Sequence, residues 1–298
     1  MSIYTQIDAN KRKSWLIMVL FVAFVAGVSY VFGQAMGYGG SYVGLALVIS
    51  GFAAIASYYF SDSIVLGISG ARQVTEKEDN LLFDVITNIA ISAGIPRPKV
   101  YIINDPSPNA FATGRDPKHA AVCVTTGLRQ LLDKSELEGV IAHELSHIGN
   151  FDTRLMAIVS VLVGLVAMLA DWFTRSLWFG SRDREEGNSK SGTIFFVLGL
   201  VLAIVSPLIA TLIQLAISRK REFLADASAA YLTRYPEGLA RALEKLAASK
   251  RPAGFANNAT AHLFIVNPFK GKDVTSWFAG LFNTHPPIEE RVKVLRTM

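Results

Sequence analysis

Residues 14–61 read SWLIMVLFVAFVAGVSYVFGQAMGYGGSYVGLALVISGFAAIASYYFS, a run of 48 residues without a charge. One membrane crossing takes roughly 20 helical residues, so this run is long enough for two. Its middle, residues 33–40, is rich in glycine and prone to turn. We therefore predict two transmembrane helices, near 15–32 and 42–60, that form a helical hairpin. A cleaved signal peptide led by the basic residues 11–13 is the alternative for the first helix, although its apolar part would exceed the usual length of roughly 7–15 residues.

The composition agrees with a membrane protein. Hydrophobic residues make up 51% of the 298 residues and charged residues only 18%, below the roughly 25% typical of soluble domains. A simple soluble enzyme is therefore not expected, and the apolar content excludes intrinsic disorder. The single cysteine, Cys123, excludes a fold held together by internal disulfides. The net charge of +5 is too small and too scattered to indicate nucleic acid, so the expected partner is the lipid bilayer.

Two further apolar runs follow in the second half of the chain. Leu155–Ala170 has 16 uncharged residues, which is short for a full crossing. Ser191–Ser218 has 28 uncharged residues and contains Pro207, a typical kink residue. Counted with the N-terminal hairpin, these runs predict four transmembrane helices. A buried hairpin inside a large soluble core is the alternative for the second pair.

Lysine and arginine near the ends of the spans predict the orientation. Basic residues precede the first span at 11–13 and follow the fourth at 219–221, whereas the turn at 33–40 has no charge. An even number of spans then puts both termini on the cytoplasmic side, although four basic residues in the loop 171–190 weaken this interpretation. The predicted domains are an N-terminal transmembrane hairpin, a cytoplasmic part, a second transmembrane hairpin and a second cytoplasmic part, at residues 1–60, 61–154, 155–218 and 219–298.

Periodic patterns predict a mixed α and β structure outside the membrane. Apolar residues at helical spacing across Glu76–Ala93 predict a helix that ends at Gly94. Lys99–Ile103 and Ala120–Val124 are typical of short strands, and Asn109–Thr113 of a third strand or sheet edge. Further helices are expected where a capping box or a proline marks a start, at Ser135 with Glu138, after Pro236, and near Pro286-Pro287.

The helix expected from Ser135 contains His143-Glu144-Leu145-Ser146-His147. Residues four apart lie on the same helical face, so the two imidazoles can both reach one Zn²⁺ at about 2.0–2.1 Å. Glu144, between them, can contact a water on the open side of the metal and act as a general base. The motif indicates a catalytic zinc site. The alternative is two histidines on a helix surface beside an unrelated acid.

A catalytic zinc needs a third protein ligand, and no third histidine follows His147 at the spacing of the extended zinc motif. We expect the helix with His147 to run straight into the third span, because that span begins only eight residues later. Glu222 lies four residues past the end of the fourth span, so an antiparallel pair of spans would return it to the level of the histidines. Asp226, one turn further, would then face a ligating histidine. An exposed Glu222 paired with Arg219 or Lys220 is the alternative.

These residues resemble the HtpX family of heat-shock membrane zinc metalloproteases. The resemblance rests on the zinc motif followed by an apolar hairpin and then by Ser218-Arg-Lys-Arg-Glu-Phe-Leu-Ala-Asp226. It extends to residues 108–115, 259–268 and 284–291, and with the span layout it covers nearly the whole chain. It implies an α+β membrane protein with four transmembrane helices and a cytoplasmic, mainly α, zincin-like metalloprotease domain with a small β-sheet.

The resemblance also implies roles for single residues. His143, His147 and Glu222 would be the ligands of one Zn²⁺ per chain. Glu144 would be the catalytic base, and Asp226 would orient a ligand. The two cytoplasmic parts, 61–154 and 219–298, would then form the protease domain, the first with the zinc helix and the second with the third ligand.

Further residues are implied to contact the substrate. An edge strand would hold the substrate backbone by β-addition, and it consists of Asn109, Ala110, Phe111 and Ala112. His285 and Arg291 would lie near the active site, where an imidazole or a cation can stabilise an oxyanion. A capping or packing role in the last helix is the alternative for His285.

The implied function is that of a zinc-dependent endopeptidase in the bacterial plasma (inner) membrane, with termini and active site in the cytoplasm. Its substrates would be misfolded or damaged membrane proteins, as in a stress response and protein quality control. A transporter or scaffold with a structural metal is one alternative, but no predicted span carries an internal charge pair and structural zinc normally has four protein ligands. A protease with its zinc motif inside a span is another, but four charged residues flank the motif, at Glu136, Glu138, Asp152 and Arg154.

Overall fold

The structure, a computed structural model, describes residues 3–35, 41–180, 219–249, 254, 260, 263–266 and 286–298. Side chains are described for 7–30, for 43–166 and for the later ranges. The fourth predicted span, residues 191–218, lies outside the described residues, and so does His285. The described chain forms long apolar helices joined to a unit of shorter helices and one β-sheet.

The first two helices are long and apolar. Helix α1 covers Ile3–Ala35 and helix α2 covers Ser41–Ile68. Within them, Ile7–Tyr30 and Val43–Ile68 are long and apolar enough to cross a membrane. Exposed apolar patches of this kind mark contact with a membrane or a partner, and they include Trp15, Leu16, Val19, Leu45, Val48, Ile49, Phe52 and Ile55. The two helices predicted for the N-terminal hairpin are confirmed, and both extend beyond their predicted bounds.

The third apolar run belongs to helix α6, Asp152–Gly180. Its described side chains pack on α1 and α2 in one apolar cluster, formed by Ile17, Met18, Phe21, Ala54, Leu155, Ile158, Val159, Leu162, Val163 and Val166. By length and composition, the described residues hold two candidate spans, or three if α6 and the helix before it count as one bent span.

The helix with the zinc motif does not run straight into α6, so that prediction is wrong. This helix, α5, covers Lys134–Gly149 and meets α6 at an angle of 81°. Asn150 caps the end of α5, and Phe151 adopts a left-handed φ of 59°. A left-handed residue cannot continue a right-handed helix. The chain therefore turns, and the start of α6 comes back beside the end of α5.

The start of α5 also differs from the prediction. Asp133 caps the helix: its carboxylate accepts from the Glu136 N–H, and the Glu136 side chain accepts from the Asp133 N–H. Ser135 Oγ donates to the Asp133 carboxylate. The predicted capping box therefore begins two residues earlier, because aspartate caps as well as serine and its charge is favoured at a helix N-terminus.

A four-stranded sheet lies beside α5. Its strands occur in the order β1-β2-β4-β3, and they are β1 Arg72–Gln73, β2 Lys99–Ile103, β3 Ala110–Gly114 and β4 Ala120–Thr125. Strands β2 and β4 are parallel, and the other neighbouring pairs are antiparallel. Strand β3 is an edge strand and contacts α5. The predicted strands are confirmed.

Shorter helices surround α5. They are α3 Asn80–Ala93, α4 Thr126–Leu131, α7 Arg219–Thr233, α8 Pro236–Ala248 and α9 Ile288–Leu295, with a 3₁₀ turn at Pro117–His119. Helix α3 ends at Gly94, which has a φ of 66°, and α8 begins at Pro236. The helices predicted at these places and near Pro286-Pro287 are confirmed. Twelve of the 16 residues of α5 are buried, so α5 forms the centre of this unit.

Helices α5 and α8 approach so closely at Gly139 that their packing requires glycine. A Cβ on Gly139 would lie 2.6 Å from the backbone N of Leu239 and 2.8 Å from its Cα. We expect Gly139→Ala to lower the free energy of unfolding by about 1–3 kcal/mol, because the strain of overpacking exceeds the gain in helix propensity. Denaturant unfolding in detergent measures this change.

Gly149→Ala is the matched control, because Gly149 lies on the same helix. No described heavy atom outside that helix's backbone and the neighbouring residues lies within 4 Å of its Cβ position. This variant should keep or slightly raise the free energy of unfolding. Equal free energies for the two variants would contradict the close contact of α5 with α8.

Candidate metal centre

Three potential metal ligands converge beside α5. The Nε2 atoms of His143 and His147 lie 3.2 Å apart. Glu222 Oε2 lies 3.7 Å from the first, and Glu222 Oε1 lies 3.5 Å from the second. A tetrahedral metal with ligands at about 2.0–2.1 Å separates neighbouring ligand atoms by roughly 3.3 Å. The spacing of these three buried side chains therefore fits a single metal ion.

Helix α7 brings two carboxylates to this cluster. Glu222 and Asp226 are four residues apart on α7 and share the helical face that packs against α5. Asp226 Oδ1 lies 2.9 Å from Nδ1 of His143. A carboxylate at Nδ1 fixes the tautomer and the orientation of a ligating histidine. The imidazole of His143 therefore presents its Nε2 to the metal position.

Arg291, on α9, holds Asp226 in place. Its Nε and Nη2 donate to the two Asp226 oxygens at 2.8 and 2.7 Å, which is a bidentate pair. Its Nη1 lies 3.7 Å from Glu222 Oε2, and the whole side chain is buried. A guanidinium engaged with these two carboxylates favours a positioning role over direct contact with a substrate oxyanion.

The second histidine has its own carboxylate partner, Asp152, at the start of α6. Asp152 Oδ2 lies 3.0 Å from Nδ1 of His147. Asp152 is not among the site residues predicted from the sequence. Asp152 lies five positions after His147, about 140° around a continuous helix, so helical spacing does not predict the contact. In the sequence, the one indication of this contact is that an acidic residue follows shortly after the zinc motif. The bend between α5 and α6 brings that residue to the imidazole.

Glu144 is buried among the same groups. Burial raises the pKa of its carboxyl, although the imidazoles of His143 and His147 act to lower that pKa. The backbone of Ala112, on β3, also hydrogen-bonds to the carboxylate. A carboxylate with a raised pKa is suited to accept a proton and return it near neutral pH.

Neighbouring charges shift the pKa values of two buried groups, His147 and Asp226. Burial by itself would lower the pKa of His147, but the hydrogen bond to Asp152 and the charge of Glu222 raise it to about 9. Burial would raise the pKa of Asp226, but Arg291 holds it at about 2. Asp226 is therefore ionised at neutral pH, and a metal ion competes with a proton for His147, so metal affinity depends on pH.

The predicted substrate strand begins at a part of the sheet edge that is already paired. The Ala110 carbonyl accepts a hydrogen bond of 3.1 Å from the Ile265 N–H. The side-chain amide of Asn109 donates to the Val266 carbonyl at 2.9 Å. Residues 263–266 therefore cover the edge at the first two of the predicted positions.

The other two positions of the predicted strand, Phe111 and Ala112, make different contacts. Phe111 packs edge-on against Phe264, with ring centroids 5.0 Å apart, and Ala112 reaches Glu144 through its backbone. Ala112 is thus a position of the edge that contacts a residue beside the metal cluster. The other predicted site residues come together as described, apart from His285, which lies outside the described residues.

Comparisons with known proteins point to one family. The profile of Peptidase family M48 matches residues 76–298. A protein of Dictyoglomus thermophilum named Protease HtpX homolog is 48% identical over 300 residues, which cover 99% of this chain and 94% of its own. A protein of the same name from Streptococcus gordonii is 44% identical, and the match covers 99% of this chain and 100% of that protein. One from Pyrococcus abyssi is 48% identical, and the match covers 95% of this chain and 94% of that protein.

A solved structure shares the fold. The crystal structure of S. mikatae Ste24p aligns with a TM-score of 0.51 and 20% sequence identity, and the match covers 95% of this chain and 66% of that one. At this identity the likeness concerns the fold alone.

The apolar helices, the buried cluster of two histidines and a glutamate, and these matches define the class of protein: a membrane metalloprotease, and hence a hydrolase. The chain belongs to peptidase family M48, and over nearly its full length it is similar to proteins named Protease HtpX homolog. Membership of this family implies a metal ion, and the donor set of His143, His147 and Glu222 is able to hold one.

Proposed function

We propose that the chain is a zinc-dependent endopeptidase that hydrolyses peptide bonds of misfolded or damaged membrane proteins at the cytoplasmic face of the plasma membrane. The observation that carries the proposal is the pair of imidazole Nε2 atoms, 3.2 Å apart, that face the Glu222 carboxylate. Two imidazoles and one carboxylate leave a fourth position of a tetrahedral site open, as in catalytic zinc sites and unlike structural ones.

The metal would be held by His143, His147 and Glu222. A zinc ion bound there supplies Lewis-acid polarisation of the scissile carbonyl. Asp226 and Asp152 accept the Nδ1 hydrogens of the two imidazoles, which directs each Nε2 to the same point and increases its basicity. These buried hydrogen bonds prepare the ligands before substrate arrives.

Glu144 would move the protons of the reaction. Its carboxylate takes a proton from the attacking water and then gives that proton to the leaving amine. Burial raises the pKa of this carboxyl, which favours the uptake of the proton that it later returns. The fixed position of Glu144 on α5, next to both ligating histidines, orients the water without a separate binding step.

The substrate backbone would bind along β3 by addition of a strand. Among the described residues, 263–266 cover this edge only at its start, and the edge continues to Ala112, where one backbone group is hydrogen-bonded to the Glu144 carboxylate. A peptide paired there brings a carbonyl group beside the catalytic base. Because such pairing uses main-chain groups, it accepts substrates of varied sequence, as the degradation of misfolded proteins requires.

The contacts of α1 support a site at the membrane surface. Asn10 on α1 donates to the Asn150 carbonyl and to Asp152, at the junction of α5 and α6. The uncharged run of α1 begins at Ser14, one helical turn further, and basic residues fill positions 11–13 between them. The metal cluster is thus expected at the level of the basic end of the first span, which the positive-inside rule assigns to the cytoplasm.

Removal and replacement of the metal test this proposal. The full-length chain, purified in detergent, is expected to cleave an unfolded soluble protein, to lose that activity on treatment with a chelator, and to regain it at about one Zn²⁺ per chain. Co²⁺ and Mn²⁺ belong in the series, because two histidines and a glutamate also accept them. If the chain binds zinc but neither the untreated nor the metal-restored sample cleaves the unfolded protein, the protease proposal is contradicted and a structural metal is favoured.

The same experiment includes a ligand variant and its control. Glu222→Gln should weaken zinc binding by more than about 100-fold, because loss of an outer partner of a ligand already costs about 10–100-fold. Glu237→Gln removes a partly exposed carboxylate of α8 that pairs with Arg296, and it should bind zinc as the wild type does. Wild-type affinity in Glu222→Gln would contradict the proposed ligand set.

A further inference from the structure

A buried amide links the first membrane helix to the metal cluster. Asn10 on α1 is 2% exposed. Its Nδ2 donates to the Asn150 carbonyl at 2.9 Å and to Asp152 Oδ1 at 2.7 Å. Its Oδ1 accepts from Arg221 Nη1 at 3.3 Å. One side chain thus contacts the end of α5, the start of α6 and the start of α7.

These contacts determine the orientation of Asp152. Its Oδ1 accepts from Asn10 at 2.7 Å and from Arg221 Nη1 at 3.0 Å. Its other oxygen, Oδ2, is left to face His147 Nδ1 at 3.0 Å. A carboxylate held by two donors on one oxygen has a fixed rotation, so the direction of the bond to His147 is fixed as well.

We propose that Asn10 is a positioning residue of the metal centre, which orients Asp152 and through it the imidazole of His147. This inference rests on the proposed metal site, and it makes the first membrane helix a part of that site. Without the Asn10 amide, Asp152 Oδ1 would keep Arg221 as a donor but lose its shorter hydrogen bond. The Asn10 amide therefore restricts the rotation of the carboxylate further, and it also ties the carboxylate to the Asn150 carbonyl at the bend between α5 and α6.

Zinc affinity of the full-length chain, measured in detergent by competition with a chromophoric chelator, tests the proposal. Asn10→Leu keeps the size of the side chain and removes its hydrogen bonds, and Asn10→Ala is the second variant. Each is expected to weaken zinc binding about tenfold, at the lower end of the range for outer partners of metal ligands. The visible absorption of the Co²⁺-loaded variants should also change, because it reports the geometry of the ligands.

Ser57→Ala is the matched control. Ser57 is a buried polar residue of α2, and its hydroxyl donates to the Ala54 carbonyl of the same helix. This variant should bind zinc as the wild type does. If both Asn10 variants also bind zinc with wild-type affinity, the positioning role is wrong. A wild type that binds no zinc would instead overturn the proposed metal site itself.

A double-mutant cycle separates positioning from general loss of structure. Asp152→Asn removes the residue through which Asn10 is proposed to act, so adding Asn10→Leu to it should weaken zinc binding by less than about twofold. A further tenfold loss in the Asp152→Asn background would show that Asn10 acts by another route and would overturn the proposal.

Discussion

Glu144→Gln is expected to lower kcat for peptide hydrolysis by about 10³-fold, within the range attributed to a positioned general base. The amide keeps the shape of the side chain but cannot take a proton from water. Because Glu144 is not one of the three converging ligands, zinc content should stay near that of the wild type. Single-turnover cleavage of an unfolded protein and metal analysis of the same sample measure the two quantities.

Stability should change in the opposite direction to activity. Burial raises the pKa of Glu144, which means that its ionised form is disfavoured in the folded protein. A neutral amide removes that cost, so the Tm of Glu144→Gln should equal or exceed that of the wild type, as is common where function requires a strained group.

Glu138→Gln, which removes the partner of Lys134 on the same helix, is the matched control and should keep full activity. Cleavage by Glu144→Gln at the rate of this control would contradict the assignment of the base.

Arg291→Met should be the most destabilising of the changes considered. It leaves the Asp226 carboxylate buried without its bidentate partner, and removal of one member of a buried ion pair costs about 3–5 kcal/mol. It also frees the carboxylate that faces His143 Nδ1, so zinc affinity should fall by about 10–100-fold. Denaturant unfolding and chelator competition measure the two effects.

Two further variants define what Arg291 does. Arg291→Lys keeps the charge but cannot donate from both Nε and Nη2, so its losses should lie between those of the wild type and Arg291→Met. Arg296→Met, on the following turn, removes an exposed guanidinium that pairs with Glu237 and Glu244, and it should leave Tm and zinc affinity close to wild type. Equal effects at the two arginines would contradict the role of Arg291 in holding Asp226.

The sequence by itself determined the membrane character and the candidate chemistry. The run 14–61 has no charge over 48 residues, and a helix of that composition is stable only where apolar groups surround it. The spacing of His143 and His147 places both imidazoles on one helical face in any tertiary structure. The same rule relates Glu222 to Asp226. Each of these properties depends on one continuous run of the sequence or on residues within about one helical turn of each other.

Only the tertiary structure decided how the ligands are oriented. Asp152 reaches His147 because Phe151 takes a left-handed conformation and the chain turns by 81°. Asn10 meets Asp152 across 142 positions of the chain, and Arg291 meets Asp226 across 65. No local periodicity relates residues so far apart. Their hydrogen bonds form where the tertiary structure brings α1, α6, α7 and α9 together beside the metal cluster, since most polar groups in a buried setting pair with another polar group.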